Sequence, residues 1–198
     1  MEEKENPQIK VWDIGVRIFH WSLVLFYTIA YISEDIELIH AYAGYVVLGL
    51  ILFRVLWGLI GTKYARFNNF IYGKKAAFAY LKTLFTKKPK HYIGHNPIAG
   101  WMIIALLITI FLVAWSGLLL YADAGKGPLA EVIVEPISEA YADDDKEQTE
   151  SIWEEIHEAL ASLTLLLVCI HVAGVLFSSR IHEENLIRSM ITGYKKSR

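Results

Sequence analysis

The sequence predicts an all-α integral membrane protein, a bundle of four transmembrane helices. Of its 198 residues, 55% are hydrophobic, and the mean hydropathy of +0.36 is too high for an ordinary soluble domain. The apolar residues are concentrated in long segments, and a run of about 18 such residues is enough to indicate a membrane span. We expect one domain over residues 1–198, with helices at about 16–33, 38–60, 97–121 and 152–178.

Basic and acidic residues are sorted between the loops, and this sorting predicts the orientation. Residues 62–95 contain eight Lys or Arg and no Asp or Glu, whereas residues 122–158 contain twelve Asp or Glu and only two Lys. By the positive-inside rule, both termini and the basic loop 62–95 face the cytoplasm, and the acidic loop 122–151 faces the periplasm. We therefore expect a multi-pass protein of the bacterial inner membrane, in contact with lipid and without a nucleic-acid partner.

Several local signals refine this topology. The N-terminus is acidic and shows no small-residue cleavage site, so we expect the first helix to be retained. Cys169 is the only cysteine, which excludes an internal disulfide and a CxxCH haem attachment. Asn96 and Pro97 have the pattern of an N-cap followed by proline at the first helical position. Residues 68–85 mix aromatic residues with lysines, as an interfacial amphipathic helix does.

Four of the seven histidines lie in or at the ends of the apolar segments, namely His20, His40, His157 and His171. Ionisable residues are costly there and indicate function. His157 and His171 are 14 residues apart, nearly four helical turns, so both project from one helix face, roughly 21 Å apart. Because successive helices alternate in direction, His20 and His171 are expected near the cytoplasmic edge and His40 and His157 near the opposite edge.

Two histidines at each of two depths indicate two metal centres within the bundle. Neutral imidazoles on both faces of a porphyrin give a low-spin haem suited to electron transfer. We therefore predict two b haems, one held by His20 and His171 and the other by His40 and His157. The alternative for such histidines is a proton relay or metal site in a non-haem transporter, or a passive membrane anchor.

Two arginines and three further histidines complete the ionisable residues of interest. Arg17 and Arg54 are candidate partners of haem propionates. Arg17 can also reach lipid headgroups, and the deeper Arg54 suggests a buried ionic partner. We expect His91, His95 and His182, in or beside the cytoplasmic loops, to be surface or capping histidines.

Seven stretches carry a family resemblance: VWDIGVRIFHW (11–21), HAYAGY (40–45), FRVLWGLIGTKYARF (53–67), GHNPIAGW (94–101), HE (157–158), HVAGV (171–175) and HEENLIRSMITGYK (182–195). Taken together they are highly specific. Over nearly its whole length the chain resembles the bacterial cytochrome b561 family, which includes the b-type cytochrome subunit of nickel–iron hydrogenases. Hydrogenase-type members usually carry an additional helix, which this sequence does not show.

The resemblance implies an integral membrane dihaem cytochrome b that passes electrons between quinone and a partner or a small oxidant. The family's ligand pattern maps onto His20, His40, His157 and His171. We expect electron transfer between the quinone pool and a periplasmic redox protein such as a cytochrome c, for which the acidic loop offers a docking charge. The alternative within the family is superoxide oxidation coupled to quinone reduction, although twelve acidic residues on that side would repel an anion.

Overall fold

The computed structural model describes residues 8–84, 90–130 and 152–196. In chain order its elements are β1 (Gln8–Lys10), α1 (Ile14–Ile32), α2 (Glu37–Ile60), a 3-10 turn (Phe67–Asn69), α3 (Lys74–Leu84), α4 (Pro97–Asp123), α5 (Ile152–Ile181), α6 (Leu186–Thr192) and β2 (Tyr194–Lys196). Helices α1, α2, α4 and α5 are 19, 24, 27 and 30 residues long and apolar enough to cross a membrane. The predicted all-α fold with four membrane-spanning helices is confirmed, whereas the cytoplasmic position of the termini stays a prediction.

Side-chain caps explain where two of the long helices begin. At the start of α4, Oδ1 of Asn96 accepts a hydrogen bond from the Ala99 amide at 2.8 Å, which is the predicted cap. Pro97 occupies the first helical position, where its missing N–H costs nothing. At the start of α1, Oδ1 of Asp13 accepts a hydrogen bond from the Val16 amide at 3.0 Å. Helix α3 lies within the segment predicted to be amphipathic.

Two predictions concern parts of the chain that the structure does not describe. The acidic N-terminus falls largely before residue 8, and the acidic loop continues through residues 131–151. The expected retention of the N-terminal segment and the expected partner-docking charge of the loop therefore stay predictions.

The chain divides into two compact units. The first comprises Met1–Leu23, Leu52–Leu106 and Leu167–Arg198, and the second comprises Val24–Ile51 and Leu107–Leu166. Each long helix therefore contributes one part to each unit. Among the predicted ligands, the first unit contains His20 and His171 and the second contains His40 and His157, so each predicted pair belongs to one unit.

In the first unit, the two ends of the described chain meet. Strand β1 pairs antiparallel with β2, with Gln8 opposite Lys196. The Gly193 carbonyl accepts hydrogen bonds from the amides of Val11 and Trp12 at 2.8 and 3.1 Å. Gly193 has a φ of +90°, and a Cβ there would lie 2.6 Å from the Trp12 carbonyl oxygen, so this turn requires glycine. The sequence did not predict this small sheet.

Asp13 also ties the start of α1 to the end of α2 within the first unit. The indole N–H of Trp57 lies 3.2 and 3.3 Å from its two carboxylate oxygens, and the Thr62 hydroxyl donates to Oδ2 at 2.5 Å. Burial alone would raise the pKa of Asp13, but the hydrogen bonds from Thr62, Val16 and Trp57 outweigh burial and lower the pKa below 3.8. Asp13 is thus an ionised cap and a helix–helix connector.

The second unit has an apolar core with a few buried hydroxyl residues. Its buried apolar residues are Ala43, Val47, Ile51, Leu107, Ile110 and Ala122, and its buried hydroxyl residues are Ser33, Thr109, Ser116 and Thr164. Thr164 satisfies its hydroxyl by donating to the Leu160 carbonyl at 2.8 Å, one turn earlier in α5. On the surface of this unit, Lys126 donates to both carboxylate oxygens of Glu37 at 2.7 and 2.8 Å.

Candidate functional site

In the second unit, α2 and α5 bring His40 and His157 together. Their ring centres lie 5.9 Å apart, with the ring planes inclined at 75°. Two imidazoles that bind one metal ion from opposite sides, at about 2 Å per nitrogen, have ring centres about 6 Å apart. The separation of this pair therefore suits one metal ion between the two rings.

Backbone carbonyls determine which nitrogen of each ring is available. Nδ1 of His157 donates to the Val113 carbonyl at 3.0 Å, and the Ser116 hydroxyl lies 3.1 Å from the same nitrogen. Nδ1 of His40 donates to the Ala30 carbonyl at 2.8 Å. A carbonyl oxygen only accepts, so the hydrogen of each neutral ring is on Nδ1. Nε2 of both rings is left as the metal-binding lone pair.

Helix α4 is shaped to receive the His157 ring. A Cβ added at Gly117 would lie 2.8 Å from Cε1 of His157, closer than real Cβ contacts allow. The neighbouring Ser116 is buried, and its hydroxyl also donates to the Val113 carbonyl at 3.0 Å. Ser116 and Gly117 interrupt an otherwise bulky apolar run, and the small residues let α5 approach α4 with an imidazole between them.

In the first unit, α1 and α5 carry the other predicted pair. His20 and His171 are half-buried and lie close enough to interact electrostatically. Nδ1 of His20 is buried and has no hydrogen-bond partner within the described part of the chain. The His20 ring packs edge-on against Trp21, with ring centres 5.1 Å apart. The pair shares a unit, but its ring nitrogens are not anchored as those of His40 and His157 are.

The two arginines predicted near haem propionates both lie in the first unit. Arg17 donates from Nη2 to the Ile191 carbonyl, and its buried Nε finds no partner among the residues described. Arg54 is only 3% exposed; it donates from Nη2 to the Ala65 carbonyl at 3.1 Å and packs on the rings of Phe67 and Phe70. The expected ionic partner of Arg54 is not found, since no described carboxylate lies within 4.0 Å of it.

His95, predicted to be a surface or capping histidine, is half-buried. Its ring packs against those of Trp12 and Phe70, with centres 4.5 and 4.7 Å away, and its Nδ1 is buried. Burial, with smaller contributions from the nearby charges of Arg54 and Lys195, lowers the pKa of His95 to about 3. His95 is therefore a neutral imidazole with a buried Nδ1.

His91 and His182 belong to a second polar cluster of the first unit. His182 is buried, contrary to prediction, and its Nε2 lies 3.3 Å from the Tyr80 hydroxyl. His91 pairs with Oε1 of Glu184 at 2.8 Å, and Lys195 pairs with Oε2 of the same carboxylate at 3.1 Å. Burial opposes the ionisation of Glu184, but Lys195 and His91 outweigh burial and lower its pKa. This cluster fastens β2 to the loop before α4.

Comparison with known proteins now bears on these histidines. The family model described as prokaryotic cytochrome b561 matches residues 11–193. The chain belongs to the prokaryotic cytochrome b561 family. It is therefore a membrane protein of b-type cytochrome character, and its activity is membrane electron transfer with haem b.

Curated relatives of this cytochrome b561-family chain agree at low identity. It is 24% identical to a probable Ni/Fe-hydrogenase B-type cytochrome subunit of Azotobacter chroococcum mcd 1, over 98% of this chain and 92% of the relative. It is 22% identical to proteins of the same description from Rhodobacter capsulatus, over 97% and 83% of the two chains, and from Rhizobium leguminosarum bv. viciae, over 96% and 89%. No solved structure matches the chain.

The side chains suit a b-type haem. His40 and His157 have ring centres 5.9 Å apart, and the Nδ1 of each is bonded to a backbone carbonyl, which leaves Nε2 for a metal ion. In the first unit, buried polar atoms of Arg17, His20, Arg54 and His95 have no hydrogen-bond partner among the described residues, as expected where a polar prosthetic group supplies one. The roles of the Ala30 and Val113 carbonyls could not be predicted from the sequence, because every residue type has a backbone carbonyl. Ser116 and Gly117, two small residues inside an apolar run, were the available signal.

Proposed function

We propose that this cytochrome b561-family protein binds two haem b groups, one through His20 and His171 and the other through His40 and His157. The observation that carries the proposal is the geometry of the second pair. Its ring centres lie 5.9 Å apart, and both Nδ1 atoms are committed to backbone carbonyls. Each unit then has its own ligand pair.

The ligand pairs determine what each centre can do. Haem supplies one-electron redox chemistry when bound. The Nδ1–H bonds to the Ala30 and Val113 carbonyls hold His40 and His157 in one tautomer and one orientation. The two histidines of each pair would hold one haem, and a haem held in this way would supply electron transfer rather than oxygen binding.

We further infer that the protein passes electrons between the membrane quinone pool and a periplasmic redox protein such as a cytochrome c. The charge distribution supports an orientation with the acidic loop outside, and this loop complements a basic partner. The relatives' names include Ni/Fe hydrogenase, so a hydrogenase is the alternative partner. The acidic loop disfavours superoxide as a substrate, since it repels anions.

The deciding experiment is to purify the protein in mild detergent, quantify haem by pyridine haemochrome and record the reduced-minus-oxidised spectrum. We expect two b haems per chain. His40→Ala and His157→Ala should each lose one haem per chain, and the lost haem should be the same in both variants. The double variant should also lose only that one haem. His20→Ala and His171→Ala should remove the other haem.

His91→Ala is the matched control, because His91 is a half-buried histidine bound to a carboxylate rather than a proposed ligand. It should retain both haems. A folded wild-type protein without haem would overturn the proposal and favour a transporter or an anchor. Loss of different haems in His40→Ala and His157→Ala would overturn the pairing alone.

A further inference from the structure

Two buried hydrogen-bond donors of the first unit lie against the same aromatic ring and lack a partner. Nη1 of Arg54 and Nδ1 of His95 are both buried without a hydrogen bond to any described residue. The guanidinium carbon of Arg54 lies 5.8 Å from the Phe70 ring centre, and the His95 ring centre lies 4.7 Å from it. Buried polar groups are normally satisfied, so two neighbouring exceptions call for a missing partner.

The carboxylates that the structure describes do not supply that partner. Asp13 interacts with Arg54 electrostatically but lies beyond ion-pair distance. Its two oxygens already accept hydrogen bonds from Val16, Trp57 and Thr62. Glu184, the other buried carboxylate described in this unit, is shared between His91 and Lys195. Among residues 8–84, 90–130 and 152–196, Arg54 is therefore a buried cation that no carboxylate contacts.

The surroundings favour an anion at this position. Arginine remains charged when buried, and a buried charge is normally paired. Burial first, and then the nearby positive charges of Arg54 and Lys195, lower the pKa of His95, so His95 stays neutral. A neutral imidazole with hydrogen on Nδ1 can donate to an oxygen without adding a second charge. A guanidinium with a free Nη1 beside such a donor is a carboxylate-binding arrangement.

We propose that Arg54 and His95 together bind a propionate carboxylate of the haem held by His20 and His171. This rests on the proposed function. Both donors belong to the same compact unit as His20 and His171, and His95 lies near enough to His171 to interact with it electrostatically. The Phe70 ring lies beside both donors, and Trp12 also packs on the His95 ring. Arg54 then gains its counter-charge from the prosthetic group.

The test uses full-length protein in mild detergent, with haem content by pyridine haemochrome and midpoint potentials by optical redox titration. Arg54→Gln removes a positive charge beside the haem, so the reduced form is less stabilised. We expect an about tenfold shift of the one-electron equilibrium of one haem toward the oxidised form, or 59 mV. His95→Gln should shift the same haem in the same direction by less. Resonance Raman bands of the propionates should move in both variants.

Matched controls are Arg188→Gln, which removes an exposed arginine of the same unit, and His91→Gln. Both should leave the potentials unchanged. Arg54→Lys keeps the positive charge, and His95→Asn keeps a hydrogen-bond donor. The midpoint potential of the affected haem should therefore be closer to wild type in these two variants than in the glutamine variants. They also provide the test if a glutamine variant folds poorly.

Three results would overturn the proposal. Unchanged potentials and propionate bands in folded two-haem Arg54→Gln and His95→Gln would exclude the contact. Loss of a bound phospholipid from these variants, without a change of potential, would assign the anion to a lipid phosphate. A shift in the potential of the other haem, the one that is lost in His40→Ala, would assign Arg54 and His95 to that haem instead. A wild-type protein without haem would refute the proposed function itself and is recognised before any variant is made.

Discussion

His157 donates its Nδ1 hydrogen to the carbonyl oxygen of Val113 at 3.0 Å, and this bond joins α5 to α4. The ring can lie there because position 117 has no side chain. The hydrogen bond and the glycine together fix the ring, whose centre lies 5.9 Å from that of His40. The orientation of this proposed ligand is thus determined by a helix that contributes no ligand itself.

Replacing Gly117 should therefore disturb one haem. In Gly117→Ala the new Cβ would lie 2.8 Å from Cε1 of His157, so the ring must move. We expect haem per chain to fall from two toward one, and Gly117→Val to be more severe. Gly49→Ala is the control, since its Cβ meets no atom within 4 Å and position 49 is on the face of α2 opposite His40. Equal haem loss in both variants would refute a local steric effect.

Asp13 should be a main stabilising residue of the first unit. Asp13→Ala removes the cap of α1 and leaves the Trp57 and Thr62 donors without their acceptor. We expect a loss of about 1–3 kcal/mol in the free energy of unfolding, measured by chemical or thermal unfolding in detergent. Asp35→Ala, in the exposed turn between α1 and α2, should have little effect.

Stability should also depend on pH through Asp13. Its pKa is lowered on folding from 3.8, by hydrogen bonds that outweigh burial. The stabilisation is therefore fully present above pH 3.8 and is lost as the pH falls through the lower folded value. Asp13→Asn should reduce the steepness of acid unfolding in that range. A wild-type acid transition that Asp13→Asn leaves unaltered would show that other carboxylates dominate.

The Glu184–Lys195 pair should be far more important to stability than the Glu37–Lys126 pair. The side chains of the first pair are 4% and 5% exposed, whereas those of the second are 54% and 50% exposed. Lys195→Met would leave a buried carboxylate with only His91, at a cost of about 3–5 kcal/mol. Glu184→Gln combined with Lys195→Met should recover part of this loss. Lys126→Met should leave the unfolding midpoint nearly unchanged, because water screens the exposed pair.

Helix α3 should lie on the anionic surface of the membrane. Tyr80 on one side of the helix is buried in the first unit. Phe78 and Leu81 are 67% and 41% exposed, and the same helix carries three lysines. Apolar insertion flanked by lysines is the pattern of an interfacial helix. We expect slower deuterium uptake over residues 74–84 in nanodiscs with phosphatidylglycerol than in pure phosphatidylcholine. Replacing Lys74, Lys75 and Lys82 with glutamine should abolish the difference, and an unchanged difference would refute the assignment.

The long helices could be predicted from the sequence because the thickness of the bilayer sets a minimum length for a membrane-spanning helix. An apolar segment of that length is visible in the sequence itself. The start of α4 could also be predicted, since Asn96 and Pro97 are adjacent in the sequence and determine the helix start locally. The four proposed ligands followed from depth, which needs only helix direction and spacing. The structure places both members of each predicted pair in one unit.

What the sequence did not reveal depends on distant contacts or on the backbone. The burial of His95 comes from Trp12 and Phe70, far away in the chain. The ring orientations of His40 and His157 depend on carbonyls, which every residue type carries. In the sequence, Glu184 and Lys195 look like ordinary exposed charges. In the structure both side chains are nearly excluded from water, and Lys195 lies in β2, which pairs with β1.

The pairing of Gln8 with Lys196 makes the described chain almost a closed loop. Residue 8 and residue 196 therefore occupy one place on the first unit although they are 188 positions apart in the chain. Dyes attached at these two positions would report on a single location, and a mutation that separates the strands would change both signals together.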